Sequence, residues 1–493
     1  MIADKSDIFS DKLEMKKVPS TASSSTDCEV VGQETETKWR AVALAGVVTF
    51  LSAVENTVVG MAEWPYMKTI DPEATSAFFG VASSVSKCGH ALFALVFSYW
   101  CYRSQSVRGP LIAGRILAFF ACCIYLCVEF VPSGRRYLMM ICYLLFGIAA
   151  SSSAILRVYV VMFSSHAHRS KAYAAIVVAN MISIVIGPVC QLIFSGISYP
   201  GFEILPGIHF HLYSAPVWIA SATNFVSIAI IYFVLDEMPK RVKSLEKSLG
   251  GFNLETLKAK FSKLMTLNLC WSLVILCWIQ KIVANLAVVT LQTITSPLMM
   301  VSFGWSGEMT VRVMSLCLGT VGILSLAVAF LFMATSFSHK VSPRVSFLFS
   351  LVISIIMYVC SYPYPKISHD IPVYNATTRS GCNSLEYDWC ETNQATWPTI
   401  FIPVIVGVMG VGLPMAQISL DTIYSRILGK IDQTVLQGVI VAAEDVVLIL
   451  GPLYSSGMFS SYGQGTLWFW NGLVTVAGAG LWIFFFRKLK CYN

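Results

Sequence analysis

Apolar runs of about 20 residues, the length of helix that crosses a bilayer core, follow one another along most of the 493-residue chain. Each run is continuously apolar, whereas a membrane β-strand alternates between apolar and polar residues. Because lipid leaves no backbone group unpaired, the pattern predicts helices. The twelve predicted spans lie near residues 40–60, 75–99, 111–131, 138–162, 172–195, 213–235, 266–290, 310–335, 345–362, 398–421, 434–458 and 466–486.

The composition agrees with a polytopic, all-α membrane protein. Apolar residues make up 56% of the chain and charged residues only 12%, and the mean hydropathy is +0.68. These values exclude disordered, collagenous and coiled-coil proteins, and a nucleic-acid binder that relies on a basic surface. The sequence contains no His-Glu-x-x-His, Walker or Cys-x-x-Cys motif, so it predicts neither an enzyme nor a bound metal or cofactor.

The spans fall into two sets of six, separated by a charged segment. Near the end of that segment, Leu254, Leu257, Phe261 and Leu264 recur at helical spacing. They predict an amphipathic helix at the membrane surface, with partner docking as the alternative. The predicted organisation is a disordered cytosolic tail at 1–38, a six-helix bundle at 39–235, a cytosolic linker at 236–264, a second six-helix bundle at 265–486 and a cytosolic tail at 487–493.

Basic residues predict the orientation of the spans. Most of the 34 Lys and Arg residues lie in the tails and in the loops on one side. The positive-inside rule places that side, with both termini, in the cytosol. The loop at 361–397 is then extracytosolic, and it contains the sequon Asn375-Ala376-Thr377 together with Cys382 and Cys390. We therefore predict glycosylation of Asn375 and a disulfide between the two cysteines.

Two Gly-Pro pairs indicate an internal repeat. Gly187 and Pro188 lie in the fifth predicted span, and Gly451 and Pro452 lie in the eleventh. A parallel repeat of six spans matches these two spans to each other. Together with the two sets of six, the pairs predict two related bundles.

We assign six charged residues to central positions in the predicted spans, where a charge costs roughly 2.5 to 3.5 kcal/mol and has to face protein or water. None of them is central in spans 3, 6, 9 or 12. This distribution predicts a central polar cavity. The six residues are Glu55, Lys87, Arg157, Lys281, Glu444 and Asp445.

Helical phase groups some of these charges with polar neighbours. One face of the seventh span contains Lys281, Asn285, Gln292 and Ser296. One face of the second span contains Ser83, Lys87 and His90. Such stripes are typical of a cavity wall, so we predict that these residues line a substrate or ion cavity. The alternative is that they form ion pairs and hydrogen bonds that hold the bundle closed.

The adjacent carboxylates of Glu444 and Asp445 indicate a second role. Two neighbouring carboxylates repel each other and burial disfavours their charged forms, which suits proton coupling. The alternative is permanent neutralisation by Lys281, Lys87 or Arg157. Three central cations face three central anions, so the sequence leaves both alternatives open.

Short motifs along the chain occur in a recognisable order, and their order and spacing resemble those of a lysosomal branch of the major facilitator superfamily. Together they extend over most of residues 40–486. The motifs include Val54-Glu55-Asn56-Thr57-Val58, Gly187-Pro188-Val189-Cys190-Gln191, Tyr213-Ser214-Ala215-Pro216, Gln292-Thr293-Ile294-Thr295-Ser296-Pro297-Leu298 and Ile449-Leu450-Gly451-Pro452.

The resemblance implies a twelve-helix major facilitator fold in which spans 3, 6, 9 and 12 face lipid. It also implies an endolysosomal membrane, and either solute transport or an anion conductance. Glu55 and Arg157 carry over from the family as cavity residues. Gln292 and Leu448 stand where the family has a Glu and an Arg, so the substrate does not carry over.

The leading prediction is a transporter that moves a small charged solute by alternating access, with proton coupling as an option. Two alternatives stay open: an endolysosomal anion conductance, and a receptor or scaffold that transports nothing. The predicted location is the endolysosomal membrane, with the plasma membrane as the alternative. The predicted partners are a small-molecule or ion substrate and the lipid bilayer. The sequence excludes nucleic acid and identifies no protein partner.

Overall fold

The computed structural model describes residues 37–104, 106–164, 169–237, 270–334, 341–428 and 434–492. The predicted tail at 1–38 and linker at 236–264 lie almost wholly outside these ranges. Their predicted disorder and amphipathic helix therefore stay predictions.

The first bundle follows the predicted spans closely. Its fourth span is divided at Ser152, and its first span is followed by a short helix that begins at Glu63. The helices are Trp39–Gly60, Glu63–Ile70, Ser76–Ser104, Arg108–Leu126, Arg135–Ser151, Ser153–Phe163, Arg169–Ile193 and Ala215–Phe233.

The second bundle contains two irregular spans. The tenth span has a π-helical segment, Val408–Gly412, in its middle. The last helical stretch has a non-helical residue, Gly463, at φ 79° and ψ −172°, which divides it into the eleventh and twelfth spans. The helices are Trp271–Val301, Gly307–Ala334, Pro343–Cys360, Pro398–Gly407, Leu413–Leu428 and Thr434–Phe485.

The described residues confirm a mostly helical fold with twelve spans. Eleven helical segments in the described residues are long and apolar enough to cross a membrane. The last of them is broken at Gly463 and contains two spans, which gives twelve. Because twelve is even, the first span begins and the last span ends at the same face, which we call the termini face. We call the opposite face the hairpin face.

Two small antiparallel sheets lie on the hairpin face. In the connection between the fifth and sixth spans, β1 (Phe202–Leu205) pairs with β2 (Ile208–Phe210). In the connection between the ninth and tenth spans, β3 (His369–Asp370) pairs with β4 (Gln394–Ala395). The second connection also contains a disulfide between Cys382 and Cys390, with an S–S distance of 2.06 Å.

The Gly-Pro pairs pack in equivalent ways in the two bundles. A Cβ atom added at Gly187 would overlap Thr57 of the first span, and one added at Gly451 would overlap Val289 of the seventh. A larger residue at either position would therefore force the neighbouring helix to adjust, and glycine allows the two helices to pack closely. The fifth span packs on the first as the eleventh packs on the seventh, which is the arrangement that a parallel repeat predicts.

The seventh span differs most from its predicted bounds. The sequence predicts a span near 266–290, whereas the helix runs from Trp271 to Val301. Polar residues and Pro297 indicate an earlier end, but Thr293, Thr295 and Ser296 are buried within the protein. Thr295 Oγ1 donates to the Leu291 carbonyl oxygen at 2.5 Å, whereas the buried Ser296 hydroxyl has no hydrogen-bond partner among the described residues. Membrane helices tolerate proline where neighbouring groups compensate for the lost hydrogen bond.

Candidate functional site

A cavity of about 830 Å³ lies between the two bundles. Its described lining comes from spans 1, 2, 4, 5, 7, 8, 10 and 11 and from the short helix after span 1, with no residue from spans 3, 6, 9 or 12. The lining reaches from Glu63, near the hairpin face, to Ala329 in the last turns of the eighth span. The cavity therefore extends toward the termini face.

Charge in this cavity is confined to one wall. Among the described lining residues, the first bundle supplies Glu63, Lys87 and His90, and the second bundle supplies no charged side chain. The second bundle contributes uncharged polar residues to the lining, among them Gln292, which is exposed in the cavity. The cavity is thus polar on its first-bundle wall.

The predicted stripe of the second span lies on the cavity wall. Ser83, Lys87 and His90 are spaced four and three residues apart, so they share one face of the helix, and all three line the cavity. Lys87 is exposed there. Within the described residues, its ammonium group has no ion-pair partner, although Glu63 is close enough to interact electrostatically. Lys87 is therefore available to an anion.

Glu63 is a cavity residue that the sequence analysis missed. It begins the short helix after the first span and is the only carboxylate in the described lining. Asn56, Gly60 and Glu63 follow one another at helical spacing and all line the cavity. This spacing is the signal that could have identified Glu63. The buried Tyr143 hydroxyl, also in the lining, has no hydrogen-bond partner among the described residues.

The second-bundle wall is mostly apolar. It combines aliphatic residues such as Leu318 and Val321 with the thioethers of Met299, Met314 and Met409. Methionine is flexible and polarisable, and it adapts to ligands of irregular shape. The two walls of one cavity therefore differ in chemistry.

The structure places Glu55, a predicted cavity residue, outside the described lining of the cavity. The residue is 3% exposed, and Arg115 Nη1 donates to Glu55 Oε2 at 3.0 Å and to Asn224 Oδ1 at 3.1 Å. These residues join the first, third and sixth spans. Arg115 also corrects the expectation that span 3 lacks a central charge. The third helix begins at Arg108, so Arg115 lies two turns inside it and points at the first span.

Lys281 is likewise neutralised inside its own bundle. Its Nζ lies 3.4 Å from Asp421 Oδ1 and 3.6 Å from Glu444 Oε2, which joins the seventh, tenth and eleventh spans. Lys281 and Asn285 line a separate pocket of about 10 Å³, with Gln417 in the lining of both this pocket and the main cavity. Of the predicted seventh-span stripe, only Gln292 reaches the main cavity, because the tenth and eleventh spans cover the rest.

Arg157 and Asp445 also lie outside the described lining of the cavity. Arg157 is exposed and Asp445 is half-buried. Both are close enough to His90 to interact with it electrostatically, and Asp445 does so from the opposite bundle. They therefore influence the charge near the cavity without contacting its interior.

Hydrogen bonds close the cavity at the hairpin face. Lys68 Nζ donates to Glu386 Oε2 at 2.9 Å, and both side chains are largely buried. Ser76 Oγ and Ser460 Oγ share a hydrogen bond of 2.7 Å. Glu308 Oε1 accepts a hydrogen bond from the Tyr199 backbone N–H at 3.0 Å. Each of these bonds joins the first bundle to the second.

The disulfide-closed loop contributes two of the residues in this closure. Glu386 and Tyr387 lie between Cys382 and Cys390. The Tyr387 hydroxyl donates to Ser76 Oγ at 3.2 Å. Burial, and then the Glu386 carboxylate, raise the pKa of this hydroxyl above its usual range. It therefore stays a neutral hydrogen-bond donor across the physiological pH range.

Comparison with protein families matches residues 45–377 to the Major Facilitator Superfamily. The chain is similar to Major facilitator superfamily domain-containing protein 8 of Xenopus laevis, with 26% identity over 460 residues that cover 88% of each protein. Among solved structures, it is similar to a D-xylose–proton symporter, with a TM-score of 0.60 and 12% identity over 90% of this chain and 96% of the symporter. It is also similar to a bacterial homologue of the human lysosomal transporter Spinster in an inward-facing, unoccupied conformation, with a TM-score of 0.58 and 13% identity over 92% of this chain and 98% of that chain.

Proposed function

Because the chain belongs to the major facilitator superfamily, a family of membrane transporters, we propose that it moves a small anionic solute by alternating access through the cavity between its bundles. Family membership makes the chain a transporter rather than an enzyme. The observation that carries the proposal is the position of Lys87. This cation is exposed in the cavity and has no ion-pair partner among the described residues.

The state of the two faces supports alternating access. The bonds of Lys68 to Glu386 and of Ser76 to Ser460 close the hairpin face, while the cavity lining continues to Ala329 near the termini face. In a rocking mechanism, these bonds break as the termini face closes around the same site.

Glu63 is the residue proposed for proton coupling, in place of the predicted pair Glu444 and Asp445. An anion bound at Lys87 repels the charged form of the Glu63 carboxylate and so favours its protonation. Proton and anion are then carried together, and Glu63 releases its proton when the anion leaves. The Glu444 carboxylate, in contrast, lies near Lys281.

We further propose an endolysosomal membrane with both termini in the cytosol. The excess of Lys and Arg on the termini face supports this orientation. Asn375 is exposed on the hairpin face, where glycosylation requires an extracytosolic location. In an acidic compartment, the proton gradient would drive the anion and its proton together through this carrier into the cytosol.

Reconstitution into proteoliposomes tests the proposed function. We expect uptake of at least one radiolabelled anion from a set containing lactate, glutamate, glycerol phosphate and octyl phosphate, faster when the outside is acidic. Lys87→Gln should reduce this uptake about tenfold, because a charge-assisted contact is lost. Lys366→Gln, an exposed lysine of the hairpin face, is the matched control. No uptake of any of these anions, under any pH gradient, would refute the proposal.

A channel-like anion conductance is the second candidate. It is also favoured by Lys87, which has no ion-pair partner among the described residues. A conductance needs both faces open at once, whereas the bonds between the bundles close the hairpin face. Planar-bilayer recordings distinguish the two, because a conductance gives unitary current steps and a carrier does not.

A further inference from the structure

The two walls of the cavity point to the class of solute that fits it. The first-bundle wall carries Lys87, His90 and a row of hydroxyl groups, while the second-bundle wall is mostly aliphatic and methionine side chains. A small hydrophilic anion uses the first wall and leaves the second without a partner. A purely apolar ligand desolvates the Lys87 ammonium group without giving it a partner, which is unfavourable.

We infer that the ligand is an amphiphile, with an anionic head group held by the first bundle and a flexible apolar segment held against the second. This inference rests on the proposed function, since it names the solute class of the same cavity. One molecule then satisfies both walls at once.

The head-group position is defined by the second span. Lys87 and His90 lie one turn apart, and Ser83 and Ser86 of the same helix also line the cavity. An ammonium group, an imidazole and two hydroxyl groups together suit a phosphate or a carboxylate, which accept several hydrogen bonds. Ser153 of the fourth span lies in the same wall.

The apolar segment is accommodated by the eighth and tenth spans. Met314, Leu318 and Val321 recur at helical spacing on the eighth. On the tenth, Met409 lies within the π-helical segment and Leu413 directly follows it. A wall that mixes methionine with aliphatic residues binds flexible chains without demanding one shape. The volume of about 830 Å³ lies within the range of pockets that enclose a whole organic molecule.

Cys317 provides a direct reporter of occupancy. Its thiol is free and the residue lines the cavity, next to Leu318. We would measure its alkylation by N-ethylmaleimide, using peptide mass spectrometry, in phosphatidylcholine nanodiscs. Methyl, butyl and octyl phosphate and octyltrimethylammonium are the probes. Ala329→Cys, in the same wall, gives a second reporter nearer the termini face.

We expect octyl phosphate to protect Cys317 at a concentration at least about tenfold lower than methyl phosphate, because each buried methylene adds affinity. Octyl phosphate should also protect about tenfold better than octyltrimethylammonium, and Lys87→Gln should remove this preference while Lys87→Arg retains it. Leu318→Gln should weaken protection by octyl phosphate but leave protection by methyl phosphate unchanged. Leu318→Met, which keeps the wall apolar, is its control.

Equal protection by methyl and octyl phosphate would overturn the amphiphile, as would equal protection by octyl phosphate and octyltrimethylammonium in the native protein. Neither result bears on the transport of small anions, because uptake into proteoliposomes is measured separately. Protection of Cys317 without uptake of any anion would retain the ligand class and refute the transport function.

Discussion

Lys68 and Glu386 form a buried ion pair at 2.9 Å between the short helix after the first span and the disulfide-closed loop of the second bundle. The pair lies over the hairpin end of the cavity. Lys68 Nζ also donates to the Ala74 carbonyl oxygen at 2.9 Å, so the lysine is held in place whether or not Glu386 is present. Glu386 is therefore the partner that must leave when the hairpin face opens.

Removing the Glu386 charge should open the hairpin face. Glu386→Gln should cost the closed state about 1.5–3 kcal/mol, the range for a hydrogen bond to a charged group. Spin labels on unnatural amino acids at Ser133 and Val373, one in each bundle, should then show a larger population of long distances. Glu391→Gln, an exposed carboxylate nearby in the same connection, should leave the distances unchanged. Identical distance distributions for both variants would show that this pair does not hold the face closed.

Arg115 should prove a structural residue. Arg115→Met leaves the Glu55 carboxylate buried without its cation, so the free energy of unfolding should fall by about 3–5 kcal/mol. Adding Glu55→Met should recover most of this loss, because the unpaired charge is then gone. Denaturant titration in detergent measures both effects. If Glu55→Gln abolishes uptake while stability stays unchanged, Glu55 acts on the solute, as the sequence predicted.

Glu63 should determine how uptake depends on pH. Glu63→Gln mimics the protonated carboxyl group, so anion binding should persist while its pH dependence disappears. The protection of Cys317 by octyl phosphate, measured between mildly acidic and mildly alkaline pH, reports this directly. The native protein should bind more tightly on the acidic side, where Glu63 is neutral. Glu444→Gln should keep the native pH profile, and loss of that profile would assign the coupling to Glu444 instead.

Glycosylation of Asn375 should report the orientation of the chain. The residue is exposed, and its Oδ1 accepts a hydrogen bond from the Thr377 backbone N–H at 2.9 Å. Expression in mammalian cells should give a protein whose mass falls after glycosidase treatment, and Asn375→Gln should remove that shift. Asn383→Gln, in the same connection but outside any sequon, should keep it. An unglycosylated native protein would argue for the opposite orientation.

The number of spans could be predicted from the sequence, because continuous apolar runs are a local property. The choice of cavity spans followed from the family resemblance, whereas the placement of charge alone misses Arg115 in the third span. The stripe of Ser83, Lys87 and His90 could also be predicted, since one helix determines it. The seventh span was predicted too short. Neighbouring helices bury its polar stretch, and the apolar pattern of one segment carries no information about such neighbours.

The pairing of the central charges could not be predicted. Glu55 and Lys281 are each neutralised within one bundle, by Arg115 and by Asp421 with Glu444. Those contacts depend on how separate helices face each other. Glu63 was missed because it follows the end of an apolar run, although it continues the helical spacing of Asn56.

The central claim is that one cavity opens to each face in turn, and a reversible crosslink at the hairpin face tests it most directly. Ser76 Oγ and Ser460 Oγ lie 2.7 Å apart across the two bundles, so Ser76→Cys with Ser460→Cys should form a disulfide on oxidation. We predict that the oxidised double variant in proteoliposomes takes up none of the anion that the native protein carries fastest, and that dithiothreitol restores uptake. The native protein and each single variant, treated in the same way, are the controls. Uptake at the full rate with the crosslink in place would contradict alternating access through this cavity.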